Sequence, residues 1–159
     1  MPEAVIELQD VCKRYGRGDK AVTALQGLNL SVPRGSLYGL LGPNGAGKTT
    51  TLRILATLLA PDSGRVQVAG LDALADPRGV RRRLGYVAQE VALDKILSGR
   101  ELLQLQGDLY HLDRSERDRR IAELVELLAM GDWIDRRCGT YSGGMRRRLD
   151  LASGLLHRP

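Results

Sequence analysis

The stretch GPNGAGKTT, from Gly42 to Thr50, constrains this chain more than any other. Gly42, Gly47, Lys48 and Thr49 stand at the fixed places of the pattern GxxxxGK[ST]. Between them Pro43, Asn44, Gly45 and Ala46 bring no side chain bulkier than Asn or Pro, so the backbone can curl until successive N–H groups point inward. Such a loop is an anion cradle. Lys48 adds a positive charge for the β- and γ-phosphates of a nucleotide, and the Thr49 hydroxyl can ligate Mg²⁺. A helix opening at Lys48, Thr49 and Thr50 aims its positive dipole end at the same anion. The flanks agree, because Leu37, Tyr38, Leu40 and Leu41 read as a buried strand and TTTLRILATLL reads as a helix.

The 159 residues suit one domain with a core of Leu, Val, Ile and Ala, since aromatics make up only 4% and Phe is missing. Apolar runs fall far short of the roughly 18 residues a spanning helix needs, and no charged-then-apolar leader opens the chain. The expectation is a soluble protein without a signal peptide. Cys12 and Cys138 lie far apart and form no CxxC, which fits free thiols in the cytosol. The net charge of +5 would suit nucleic acid or a lipid surface. However, the runs Arg81–Arg83 and Arg146–Arg148 fall in expected helices, where a solvated face accounts for them, and no aromatic is interleaved to stack bases.

Along the chain, Val5 to Tyr15 reads as a strand leading through Gly16–Asp19 into a hairpin, and Leu28, Leu30 and Val32 alternate as a second, half-buried strand. RVQVAG reads as a short strand ending at Gly70. Asp76 can cap a short helix that has Pro77 first, and Leu84 to Val87 returns as an apolar strand ending at Gln89. A loop from Glu90 to Leu97 follows. Two capping boxes, Ser98 with Glu101 and Asp113 with Glu116, announce two helices. The second holds Ile121, Leu124, Val125 and Leu128 on one face until Gly131 stops it. After a loop from Asp132 to Tyr141 comes Ser142-Gly143-Gly144, and Met145, Leu149, Ala152 and Leu156 line one side of a last helix. His111 and His157 read as surface residues.

A phosphate loop, a strand-ending Gln, a helical insert and then YSGGM together resemble the nucleotide-binding domain of ABC transporters over nearly the whole chain. The wording LYGLLGPNGAGKTTTLRILATLLAPDSG and YSGGMRRRLDLASGLLHRP is most similar to ATPase subunits of bacterial drug exporters of the daunorubicin-resistance type. The resemblance implies an α/β fold: a P-loop NTPase core sheet with an N-terminal antiparallel β subdomain and a helical insert. It divides a partial ABC ATPase domain, 1–159, into an antiparallel β region (1–36), a P-loop core (37–89), a helical insert (90–141) and a signature helix (142–159). It implies ATP and Mg²⁺ as ligands, with Tyr15 stacking on adenine, Gly42 to Thr50 on the phosphates, and Gln89 reaching Mg²⁺ or the attacking water. Ser142, Gly143 and Gly144 match the signature motif, which contacts the ATP of a facing subunit, so that two copies sandwich two ATPs. Tyr141 and Met145 depart from the commoner Leu and Gln.

The family continues past this point into an apolar strand ending in Asp-Glu and a switch His. The resemblance therefore implies a C-terminally truncated, catalytically incomplete chain. It further implies a membrane permease as partner, a cytoplasmic place on the inner face of the membrane and no nucleic acid. The loop after Gln89, with Leu102, Leu103 and Leu109, reads as the permease-facing region, with buried core as the alternative for the leucines. Two other functions stay open: a non-catalytic ATP-binding module, and a chromosome-associated ABC ATPase. The latter separates the two motifs by long coiled coils, whereas Thr49 and Ser142 are 93 positions apart here.

Overall fold

The computed structural model describes residues 3–88 and 94–159, which form two compact units, Met1–Leu84 and Gly85–Pro159. The first unit is built on an antiparallel sheet of four strands in the order β2-β1-β3-β4. β1 (Ala4–Tyr15) and β2 (Val22–Pro33) make the expected hairpin, turning through Gly16 at φ 82° and a single 3-10 turn, Gly18–Lys20. β3 (Ser63–Val68) pairs with β1 on its other side, and the two-residue β4 (Leu71–Asp72) pairs with β3. Gly64 passes so close to a bulge at Asp10 that an added Cβ would lie 2.5 Å from the Asp10 carbonyl oxygen.

One face of this sheet is apolar, as the alternation of β1 and β3 dictates. Against it the helix α1 (Lys48–Leu55) lays Ile54 and Leu55 on Leu8, Val11, Leu25, Val66 and Val68. Each such side chain contributes roughly 1.5–3 kcal/mol when fully buried, so this cluster holds the start of α1 in place. α2 (Pro77–Arg83) opens with Pro77 and with the Asp76 carboxylate accepting the Gly79 N–H at 2.8 Å, and buries Val80. The Arg81–Arg83 run is exposed but tethered: Arg81 donates to the Thr57 hydroxyl and Arg83 to the Ala69 carbonyl, both at 2.8 Å.

The second unit is helical. α3 (Gly99–Leu109), α4 (Arg114–Leu127) and α5 (Gly143–Leu155) enclose Leu103, Ile121, Leu124, Met130, Ile134, Leu149, Ala152 and Leu156. The Ser98–Glu101 capping box is complete, with Glu101 accepting the Ser98 N–H at 2.8 Å. Leu103 belongs to the core, Leu102 packs against it, and Leu109 is exposed. None of the helices among the described residues is long and apolar enough to cross a membrane.

Several expectations are corrected. Leu37 to Leu41 joins no ladder, and Leu37 and Leu41 are fully exposed. A run apolar on both faces is a strand only when neighbours pair with it and cover both sides, and no described strand does so. Leu84 to Val87 likewise joins no ladder. Its Gly85 instead lies against α5, where a Cβ would meet the Gly154 carbonyl oxygen at 2.5 Å. Asp113 stands at the N-cap of α4 but its side chain caps nothing. That helix ends at Leu127, ahead of Gly131, and Ala129 takes the left-handed conformation that glycine was expected to supply. His111 is at the surface, but His157 is half-buried and stacks on Tyr110, ring centroids 4.1 Å apart.

Candidate functional site

The loop Gly42–Gly47 owes its curl to glycines in the left-handed region, Gly45 at φ 86° and Gly47 at φ 85°. At Gly47 the demand is steric as well, because a Cβ there would stand 2.6 Å from both the Ala24 carbonyl oxygen and Leu25 Cδ2. The Ala46 N–H donates to the Pro43 carbonyl at 3.2 Å, closing the turn between Asn44 and Gly45. α1 starts immediately after, with Gly47 as its N-cap. The first N–H groups of a helix have no partner within it, so those of Lys48, Thr49 and Thr50 gather at the loop with the positive end of the helix dipole.

The Lys48 ammonium folds back over the loop and donates to the carbonyls of Gly42 and Pro43, both at 2.7 Å. A cation held by two loop carbonyls, beside amides with no partner inside their own helix, suits a multiply charged anion of phosphate type. Thr49 is exposed at the second helical position, where its hydroxyl offers one hard oxygen to a cation such as Mg²⁺. Thr50 is 8% exposed, and its hydroxyl lies 3.3 Å from the Tyr15 hydroxyl. That contact brings the end of β1 to the first turn of α1 and leaves Tyr15 39% exposed. The pairing of Tyr15 with Thr50 was not legible in the sequence, since nothing marks two residues 35 positions apart as neighbours.

The second motif lies in the other unit. Ser142 caps α5, its hydroxyl accepting the Met145 N–H at 3.3 Å, and its own N–H points to the Met145 sulfur at 3.4 Å. This is a capping box with a thioether in the place of the usual carboxylate or amide, hence a weak one. Gly143 and Gly144 are exposed, with open space where a Cβ would be. Gln89 lies outside the described residues. Arg147 of the exposed 146–148 run donates to the Ala88 carbonyl at 2.6 Å, and Arg148 to that of Ala129 at 3.3 Å. Tyr141 is 3% exposed and raised above the usual phenol range by burial. Burial likewise raises the Cys138 thiol, which keeps it protonated.

The profile of the family described as ABC transporter matches residues 25–159. The chain belongs to the ABC transporter family. Among its relatives is the daunorubicin resistance ATP-binding protein DrrA2 of Streptomyces coeruleorubidus, 50% identical over 147 residues, which are 92% of this chain and 44% of that protein. The doxorubicin resistance ATP-binding protein DrrA of Mycobacterium tuberculosis is 46% identical over 157 residues, 99% of this chain and 47% of its own length. This ABC chain thus spans about half the length of the curated relatives it matches.

A solved structure, the dimeric post-hydrolysis state of an ATP-binding cassette bound to ADP and Pi, matches with a TM-score of 0.84 at 26% identity. The match covers 97% of this chain and 70% of that one. The α/β ABC cassette fold is therefore the fold of this chain, and its first unit supplies the antiparallel β region and the phosphate loop.

Proposed function

We propose that this chain is the ATP-binding part of an ABC exporter's ATPase subunit, in which Gly42 to Thr50 hold the phosphates and Tyr15 stacks on the adenine. The observation that carries the reading is the Lys48 ammonium poised over the glycine-curled loop on two carbonyls. Those two bonds are exchanged for phosphate oxygens as the anion arrives, so the charge needs little reorganisation. The amides at the start of α1, which have no partner inside the helix, supply the rest of the cradle. The Thr49 hydroxyl would hold Mg²⁺, with Gln89 as a second ligand, and the ion would supply neutralising charge at the phosphates.

Phosphoryl transfer is mainly positioning and electrostatic stabilisation, which gives Lys48 its catalytic part beyond binding. Ser142, Gly143 and Gly144, an open helix N-terminus with a hydroxyl, are suited to the phosphate of a facing copy. Two copies then enclose two ATPs head to tail, and a membrane permease receives the resulting motion at the inner face of the membrane. The export role rests on the drug-resistance relatives, and the assembly on the dimeric cassette structure.

The test is an ATP titration. Lys48→Ala should weaken binding about 10- to 100-fold, the loss of one charge-assisted bond worth roughly 1.5–3 kcal/mol. Tyr15→Ala should weaken ATP and ADP alike while sparing inorganic triphosphate. Unchanged ATP affinity in Lys48→Ala would refute the cradle, and equal loss of triphosphate in Tyr15→Ala would make that residue structural.

A further inference from the structure

Tyr141, which the resemblance marks only as a departure from Leu, is tied into the second unit by its hydroxyl. The Tyr141 Oη accepts the N–H of Gly99, the first residue of α3, at 3.1 Å and faces the carbonyls of Trp133 and Ile134 at 3.0 and 3.2 Å. Its ring meets Trp133 edge-on at 4.9 Å. Gly99 is shaped to this contact, since a Cβ there would stand 2.5 Å from the same Oη. The chain on either side is laced as well. Cys138 N–H donates to Leu97, Gly139 N–H to Lys95 and Arg100 N–H to Ile134, while Arg100 forks onto Asp135 at 2.6 and 3.1 Å. Past Gly139 the Thr140 and Tyr141 N–H groups bond locally, to the Arg137 and Cys138 carbonyls, and the Tyr141 hydroxyl is the tie that reaches the start of α3. The Ser142 cap itself leans on a sulfur, a weak acceptor.

We propose that Tyr141 is a positioning residue, whose hydroxyl fixes the chain entering Ser142 to the start of α3 and so sets the aim of Ser142, Gly143 and Gly144. The inference rests on the reading that these three residues face an ATP phosphate of a second copy. A leucine could fill the same space but could not satisfy the buried Gly99 N–H, and a buried donor left without a partner is expensive. The hydroxyl therefore converts a packed turn into one with a single defined exit direction.

Tyr141→Phe removes the hydroxyl and keeps the ring against Trp133. In the chain as it stands, amide exchange of Gly99 and of Ser142 to Met145 should accelerate together by about tenfold, with Ile121 and Leu124 in α4 unchanged. Inorganic triphosphate affinity should stay the same, and ATP-dependent dimerisation, followed by sedimentation, should weaken about tenfold. Gly99→Ala, which presses on the same oxygen from α3, should loosen Ser142 in the same way. Its effect should shrink in the Tyr141→Phe background, because the clash with the oxygen is then gone and only the one with Ile134 is left. Faster exchange at Gly99 with Ser142 to Met145 unaltered, or purely additive effects of the two substitutions, would overturn the proposal. A wild-type chain that never dimerises with ATP would refute the facing-copy reading, while the exchange data would still decide the positioning role.

Discussion

Gly47→Ala is the substitution whose consequence the structure defines most sharply. Two costs combine at this position. Its φ of 85° puts an L residue in the left-handed region, at roughly 1–2 kcal/mol. The new Cβ would also stand 2.6 Å from the Ala24 carbonyl oxygen and Leu25 Cδ2, in a packed corner between β2 and α1. Relief of such overpacking costs typically about 1–3 kcal/mol, so the total is about 2–5 kcal/mol. Gly45 supplies the control, for it has nearly the same φ, 86°, and open space around the missing Cβ. Gly45→Ala should therefore cost only the conformational share, about 1–2 kcal/mol. Urea unfolding followed by circular dichroism would give both values, with amide exchange at Leu8 and Val11 confirming that the first unit is the part affected. If Gly47→Ala proved no worse than Gly45→Ala, the close approach of β2 to the loop would be wrong, and with it the account of what holds the cradle shut.

Leu103→Ala should destabilise the second unit by about 2–5 kcal/mol, since Leu103 is wholly buried, whereas Leu109→Ala at an exposed site should stay within about 0.5 kcal/mol. Trp133 fluorescence during unfolding reads both. The pH dependence has two opposed parts. Asp62 is held below the usual carboxylate range first by its Lys13 hydrogen bond, Asp135 by Arg100 and Glu101 by the Ser98 N–H. Their contribution is present above the unfolded value of about 4 and is lost as pH falls through the depressed values, so the urea midpoint should drop below that pH. Asp150 is raised by burial, so its contribution is present below the unfolded value and lost as pH rises through the raised one. Asp150→Asn should accordingly raise the midpoint at pH 7 and leave it unchanged at pH 3.

Much of the site was legible because its residue types have few other uses. Two glycines, a lysine and a threonine at fixed spacing, with Gly45 between them, specify a curled loop and a helix start, and Gly45 and Gly47 are left-handed with Lys48 opening α1. The capping signals at Asp76 and Ser98 were equally readable, because they act within one turn. Asp113 failed although its box looked complete, for a cap needs the side chain to turn inward, which spacing alone does not dictate. Leu37 to Leu41 failed for a different reason: apolar character shows that a segment seeks burial but not whether a partner strand adjoins it. The Tyr15 contact with Thr50 and the Tyr141 contact with Gly99 join residues 35 and 42 positions apart, and only the folded chain brings them together.

The central claim, that Gly42 to Thr50 form a phosphate cradle set by Lys48 and the start of α1, is tested most directly by following backbone amide shifts of the ¹⁵N-labelled chain during titration with inorganic triphosphate and then with ATP. The account predicts that triphosphate moves the amides of Gly45, Gly47, Lys48, Thr49 and Thr50 first and furthest. ATP should add shifts around Tyr15, and Lys48→Ala should suppress both sets. Triphosphate shifts that leave Gly45 to Thr50 in place, or that persist at the same concentrations in Lys48→Ala, would contradict it.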